Sequence, residues 1–278
     1  MYELKTVFRQ YISLLKDNGV ENSGMDVMLL FNFALGTTSD QYIFADDRPI
    51  SECELKRIKS LIDRRARHEP VSKIIGKKLF WDHSFYVDVN VLDPRPETEL
   101  LVQAVLNNAG AARTILDLGT GSGCVAISLA LMLKQVSVSA SDISKKALLI
   151  ARRNAAEDGA KVNFVISDWF SSFSKRFDII VSNPPYISSS DFTRLPNNVR
   201  SYDPKLALVG GRDGLDCYRK IAQSLSLHLN NDGLAFFEIG FGQKQCVTNI
   251  FSQEGLSVVN VWNDINRLER VICVKKDA

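Results

Sequence analysis

Cysteine and histidine are scarce in this sequence, and neither is placed for metal or disulfide chemistry. Cys53, Cys124, Cys217, Cys246 and Cys273 are scattered and odd in number with no C-x-x-C pair, and His68, His83 and His228 lie far apart. That pattern excludes a disulfide framework and offers no metal-ligand spacing. An excess of one charge is also lacking. With 34 Lys and Arg against 32 Asp and Glu the formal net charge is only +2, which argues against a surface wholly devoted to nucleic acid. No long apolar run is present. The opening MYELKTVFRQYISLLKDNG mixes charges into its apolar positions, unlike a signal peptide, and no stretch reaches the length of a membrane span. Repeats and low-complexity tracts are missing too. What is there is a chain of 278 residues, 45% hydrophobic, able to bury one large domain and a smaller companion. A reducing cytoplasm is its expected location.

The apolar periodicity divides the chain. Leu4, Val7, Phe8, Tyr11, Leu14 and Leu15 recur at helical spacing, GMDVMLLFNFALG is a second segment of helical length, and Ser51 with Glu54 forms a capping box ahead of a stripe of Leu55, Ile58, Leu61 and Ile62. Pro70 stops that helix. Residues 1–75 therefore read as a small helical domain. Residues 76–96 read as a connector, in which Phe85, Val87, Val89 and Val91 alternate as a strand pairing in a hairpin with the segment Ile74 to Trp81. From residue 97 onward short apolar strands alternate with helical stretches: TILDLG, VSVSASD, VNFVIS, FDIIVSN and GLAFFEIG. Such alternation predicts a mostly parallel sheet flanked by helices. LSVVNVWND and RVICVKK are joined too closely for a helical crossover, so they should pair antiparallel at one edge, for seven strands in all.

In open α/β sheets ligands sit beyond the carboxyl ends of the strands, and four of those ends carry chemistry. The first is Asp117-Leu118-Gly119-Thr120-Gly121-Ser122-Gly123, a glycine turn that lets backbone approach a ligand, followed by a helix N-terminus. Asp142 ends the next strand about twenty residues on, where a carboxylate accepts from ribose hydroxyls. Each has a plainer reading, as a tight connection or as an N-cap; together they indicate a nucleoside cofactor. The spacing is G-x-G-x-G and not G-x-G-x-x-G, and Asp117 before it suits a cation better than a pyrophosphate. S-adenosylmethionine, with a sulfonium and an amino group and no phosphate, fits. The third end supplies Asp168, an acceptor for an adenine amino group, and Trp169, an apolar face or simply core.

The fourth end is Asn183-Pro184-Pro185-Tyr186. Ile179, Ile180 and Val181 read as a strand covered on both faces, and two prolines cannot continue its ladder. They present a side-chain amide, oriented carbonyls and an aromatic ring instead. Methylation of a planar NH2 would require such a set. Its nitrogen lone pair is delocalised, as in the peptide bond with its rotation barrier of roughly 18–20 kcal/mol, so it is a poor nucleophile. Acceptors on both N–H bonds, the Asn183 side-chain oxygen and the Pro184 carbonyl, let it move toward tetrahedral geometry, while Tyr186 stacks on the planar group.

These residues resemble the PrmC/HemK family of protein-(glutamine-N5) methyltransferases. The motifs DPRPETE, ILDLGTGSG, SDWF, VSNPPY, YDPKLALVGGRDGLDCYRKI and NRLERVI stand in the family's order over nearly the whole chain. The resemblance implies a Rossmann-like class I S-adenosylmethionine-dependent methyltransferase with a helical N-terminal release-factor-docking domain. Its implied acceptor is the glutamine of the Gly-Gly-Gln loop in class 1 peptide chain release factors. It further implies that Gly119 to Gly123, Asp142, Trp169 and Asn183 contact the cofactor, and that Asn183 to Tyr186 hold the glutamine amide. Arg95, Glu97 and Thr98 match the segment beside the acceptor pocket, and equally suit a helix start with Pro96 in its first turn. A monomer without membrane or direct nucleic-acid contact is expected. The nearest rival is an N6-adenine or guanine methyltransferase using the same NPPY loop on a flipped base. Its discriminator would be a basic surface, yet Lys56, Arg57, Lys59, Arg64, Arg65 and Arg67 are interleaved with Glu52, Glu54, Asp63 and Glu69, the pattern of a solvated face. A nicotinamide oxidoreductase is disfavoured by the glycine spacing, and a non-catalytic binding module by the presence of all four loop ends.

Overall fold

The computed structural model describes residues 2–37 and 49–277. Residues 38–48 of the expected helical domain lie outside the described set. The chain forms two compact units, residues 1–77 with 197–202, and residues 78–196 with 203–278.

In the first unit, helices α1 (Leu4–Asp17), α2 (Ser23–Leu35) and α3 (Glu52–Ala66) bury Leu4, Val7, Phe8, Leu15, Val27, Leu30, Phe31, Ile58, Leu61 and Ile62 in one cluster. The periodic apolar positions of the sequence meet there, with Tyr11 and Leu55 partly buried against the cluster, except Leu14, which is exposed. The capping box forms: Glu54 N–H donates to Ser51 Oγ at 3.2 Å and Ser51 N–H to Glu54 Oε2 at 2.9 Å, which satisfies two orphan amides at the start of α3. A five-residue helix α4 (Val71–Ile75) follows Pro70. Much of the basic face is internally compensated, with Arg65 Nε 2.6 Å from Asp26, Arg64 Nε 2.8 Å from Glu69 and Lys59 Nζ 2.7 Å from Asp63.

Strands β3 (Lys77–Phe80) and β4 (His83–Tyr86) pair around a turn in which Trp81 takes a left-handed φ of 54°; they follow the short pair β1 (Tyr2–Glu3) and β2 (Pro49–Ile50). The expected strand through Val91 stops at Tyr86. The reason is a side chain: Tyr86 N–H donates to Asn154 Oδ1 at 2.8 Å and Asn154 Nδ2 to the Tyr86 carbonyl at 3.1 Å, so a helix residue replaces the strand partner. Val87 and Val91 then pack on Ala147 and Ile150, while Val89 is exposed.

Seven strands make the main sheet: β5 (Thr114–Leu118), β6 (Ser137–Asp142), β7 (Val162–Ile166), β8 (Phe177–Ser182), β9 (Leu229–Glu238), β10 (Leu256–Asn263) and β11 (Glu269–Lys276), in the order β10-β11-β9-β8-β5-β6-β7. The pairs from β9 to β7 are parallel and β11 runs antiparallel to both β9 and β10. The Rossmann-like reading holds, with β11 inserted inside the edge. Separate apolar clusters cover the two faces, which is why Ile179, Ile180 and Val181 are all buried although they alternate sides. β5 lies between β6 and β8, so the chain reverses its direction of growth beside it and the carboxyl ends of these strands open into a crevice.

Candidate active site

A cavity of about 400 Å³ occupies that crevice within the second unit. On one side the backbone after β5 makes the wall. Gly119, Gly121 and Gly123 have φ of 73°, 55° and 85°, and the N–H groups of Gly119 and Thr120 both donate to the Ser141 carbonyl, at 2.8 and 2.9 Å. The loop is thereby tied to the end of β6. Asp142 completes the tie: Oδ2 accepts Gly121 N–H at 2.9 Å and Oδ1 accepts Ser144 N–H at 2.8 Å. A carboxylate has about four lone-pair sites, so Asp142 keeps acceptor capacity on both oxygens. Burial raises its carboxyl above the usual range against those backbone donors.

Asp117 is almost wholly buried and accepts the Thr120 hydroxyl at 2.6 Å. Burial pushes its carboxyl up to about 7, Thr120 opposes the rise and the nearby Asp142 adds to it. A carboxylate held by a neutral hydroxyl beside a second carboxylate is a place for a cation. Trp169 has a left-handed φ of 50°, and its ring lies 3.8 Å from where a side chain on Gly119 would begin. A ring and a bare backbone thus border the same space. Cavity size, spare acceptors on Asp142, an acidic end at Asp117 and an aromatic wall fit S-adenosylmethionine.

The acceptor side is built from long-range side-chain contacts. Asn183 lines the cavity and its Nδ2 donates to Thr98 Oγ1 at 3.1 Å; Thr98 donates onward to Glu238 Oε2 at 2.7 Å; Tyr186 O–H reaches Glu238 Oε1 at 3.3 Å. Glu238 is 1% exposed, and burial pushes it up to about 7, against the hydroxyl of Thr98 and the charge of Arg270. Burial, then the Glu238 charge, push the Tyr186 hydroxyl well above its ordinary value. The loop after β8 is fixed from behind: a side chain on Gly210 would begin 2.3 Å from the Pro185 carbonyl and one on Gly214 2.3 Å from that of Tyr186. Gln243 Nε2 also donates to the Tyr186 carbonyl, at 2.9 Å. This gives the VGGRDG segment its physical meaning, since only glycine lets it lie against NPPY. Arg95 pairs with Asp203 at 2.7 Å and so joins the DPRPETE and YDPKLAL segments.

Of the expected site residues, Asp117, Gly119, Thr120, Gly121, Ser122, Asp142, Asp168, Trp169, Asn183, Pro185, Arg95 and Thr98 line one cavity. Gly123, Glu97, Pro184 and Tyr186 do not. A side chain on Gly123 would meet Ile127 at 2.8 Å, so its bareness serves helix packing; Glu97 is exposed; Pro184 is buried in the loop. Pro96–Thr98 is a turn leading into α5 (Glu99–Asn108), so the helix-start reading of that segment also holds. Sequence reasoning missed Glu238, Asp203 and Gln243. Glu238 had a signal: it ends the strand beside β8, as Asp142 ends β6 and Asp117 stands one residue from the end of β5. Among the described residues no cluster of His, Cys, Asp and Glu could hold a metal ion, and no helix is long and apolar enough to cross a membrane.

Fold and site together define an S-adenosylmethionine-dependent methyltransferase. Residues 91–196 match the Methyltransferase small domain family, and a methyltransferase from Pyrococcus furiosus superposes with a TM-score of 0.57 at 20% identity, covering 78% of this chain and 99% of that one. Residues 6–76 match the PrmC N-terminal domain. Release factor glutamine methyltransferases from Geobacter sulfurreducens and Agrobacterium fabrum are each 38% identical, over 93% and 94% of this chain and 91% and 93% of theirs. The chain belongs to the release factor glutamine methyltransferase family.

Proposed function

We infer that this protein transfers a methyl group from S-adenosylmethionine to the side-chain amide nitrogen of glutamine in peptide chain release factors, the glutamine being that of their Gly-Gly-Gln loop. The observation that carries this, beside the family, is that Asn183, whose Nδ2 is already engaged by Thr98, lines the same cavity as Asp117 and Asp142.

When bound, the cofactor supplies an electrophilic methyl. Asp142 would hold its ribose hydroxyls, Asp117 its cationic end, Gly119 to Ser122 the backbone wall, with Gly123 letting the following helix pack behind it, and Asp168 and Trp169 the adenine. Asn183 Oδ1 and the Pro184 carbonyl accept the two amide N–H bonds of the glutamine, which frees the nitrogen lone pair. As positive charge grows on that nitrogen these fixed dipoles stabilise it without reorganising. Tyr186, anchored through its hydroxyl, sets the plane of the amide. Arg95, Glu97 and Thr98 border the acceptor, and the Arg95–Asp203 pair holds that border in place. No base is needed before transfer; the methylated nitrogen then loses one of its two protons to solvent, with the cofactor left as a neutral thioether.

The reading extends to the whole chain: residues 1–75 dock the release factor, 76–96 connect, and 97–278 carry the chemistry, in a cytoplasmic monomer without direct nucleic-acid contact. The pairing of Lys59, Arg64 and Arg65 with carboxylates supports the last point. The test is mass spectrometry of unmethylated release factor incubated with the protein and S-adenosylmethionine. One added methyl on the loop glutamine, absent from a Gln→Ala control, is expected. Transfer to DNA or rRNA in its place would overturn the substrate.

A further inference from the structure

We propose that Thr98 and Glu238 are positioning residues that set the polarity of the Asn183 amide, so that its oxygen and not its NH2 meets the acceptor. This rests on the reading of Asn183 given above. A threonine hydroxyl has a single hydrogen, and here it is directed to Glu238 Oε2 at 2.7 Å. Only lone pairs remain on Thr98 Oγ1, and they take a donor, the Asn183 Nδ2 at 3.1 Å. A flipped amide would set Oδ1 against another acceptor.

The direction of the whole chain of bonds depends on its last member. An ionised carboxylate only accepts, so it holds the Thr98 hydrogen and the polarity with it. A protonated carboxyl can donate to Thr98 Oγ1, which releases the hydroxyl hydrogen toward Asn183 Oδ1 and removes the preference. An NH2 presented to the glutamine NH2 is donor against donor and cannot hold the acceptor.

Glu238 is placed to act this way. It stands at the end of β9 next to β8, 1% exposed, with polar groups around it from several elements. Thr98 and Glu97 come from the turn before α5 and Tyr186 from the loop after β8. Tyr218 of α10 (Asp216–His228; α6 to α9 being Cys124–Met132, Lys145–Glu157, Ser189–Phe192 and Asn197–Tyr202) donates to the Glu238 backbone carbonyl at 2.8 Å. Arg270 comes from β11 and donates to the Ile239 carbonyl at 3.0 Å while facing Asp264. Burial dominates over these and places the carboxyl at about 7. The charge that sets the polarity is present above that pH and lost below it, so kcat rises as pH passes upward through about 7.

The experiment compares wild type with Glu238→Gln, Thr98→Val and Thr98→Ser. Release factor methylation is followed between roughly pH 6 and 8.5, cofactor affinity is measured by calorimetry, and the Asn183 side-chain amide protons are followed by NMR. Thr98→Val and Glu238→Gln should lower kcat by about 10- to 100-fold with cofactor Kd within about twofold, and Thr98→Ser should keep most of the activity. The Asn183 amide signals should titrate near pH 7 in wild type and not in Glu238→Gln. Wild-type kcat in Thr98→Val, a Thr98→Ser variant as weak as Thr98→Val, or Asn183 signals indifferent to pH would each overturn the proposal. If wild type leaves release factor unmethylated, the substrate reading fails while the NMR titration still decides the pair.

Discussion

The two sides of the cavity are built by different means. The cofactor side is local: Asp117 bonds Thr120 three residues on, Asp142 bonds Ser144 two residues on, and the glycine loop hangs from the neighbouring strand end. The acceptor side is assembled across the chain, with Asn183 and Thr98 separated by 85 residues, Thr98 and Glu238 by 140, and Arg95 and Asp203 by 108. Binding a cofactor requires a shape that short loops provide. Aiming an amide at a second reactant requires a side chain whose own orientation is imposed by others.

If the division is real, variants on the two sides should fail in different constants. The largest effect belongs to Asn183→Ala, which removes a preorganised acceptor: kcat should fall by roughly 10²- to 10³-fold, with cofactor Kd little changed in calorimetry. A parallel loss of cofactor binding would show that Asn183 belongs to both sides. Next is Gly214→Ala, where the added carbon would sit 2.3 Å from the Tyr186 carbonyl at a φ of 81°. Chemical denaturation should show a loss of about 1–3 kcal/mol, and kcat should drop as the NPPY loop shifts. The smallest concerns Asp117. A cationic ligand favours its ionised form, so cofactor affinity should strengthen as pH rises through about 7 and then level off, by at most about tenfold per pH unit. Asp117→Asn should bind weakly with no such dependence on Asp117, its kcat at saturating cofactor largely kept. The sign is fixed by burial: it raises the carboxyl of the free protein to about 7, so below that pH a cationic ligand must expel a proton to bind.

The same division explains what could be read in advance. The alternation of strands with helices, the antiparallel pairing of the last two strands, the glycine turn, Asp142 and the NPPY loop are encoded within short windows, because periodicity and turn chemistry act over a few residues; the place of β11 between β9 and β10 is not. The hairpin strand is shorter than its alternation predicts, since Val87, Val89 and Val91 alternate in the same way whether a strand or an asparagine from a distant helix takes the backbone bonds. Glu238 looked like the end of a strand because its purpose depends on Thr98, more than a hundred residues earlier. Gln243 and the glycines at 210 and 214 act on the carbonyls of Pro185 and Tyr186, contacts that no local pattern announces.

The position of β11 bears on how the enzyme comes into being. Residues 269–276 follow every other strand in the chain, yet lie between β9 and β10 and bring Arg270 beside the acceptor network. During synthesis β9 therefore waits with an open hydrogen-bonding edge, as does β10, until the last strand is inserted between them, and such edges invite pairing with other chains. The catalytic sheet closes only after residue 276 has been made, so the acceptor network, which needs Arg270 in place, is the last part of the site to be completed.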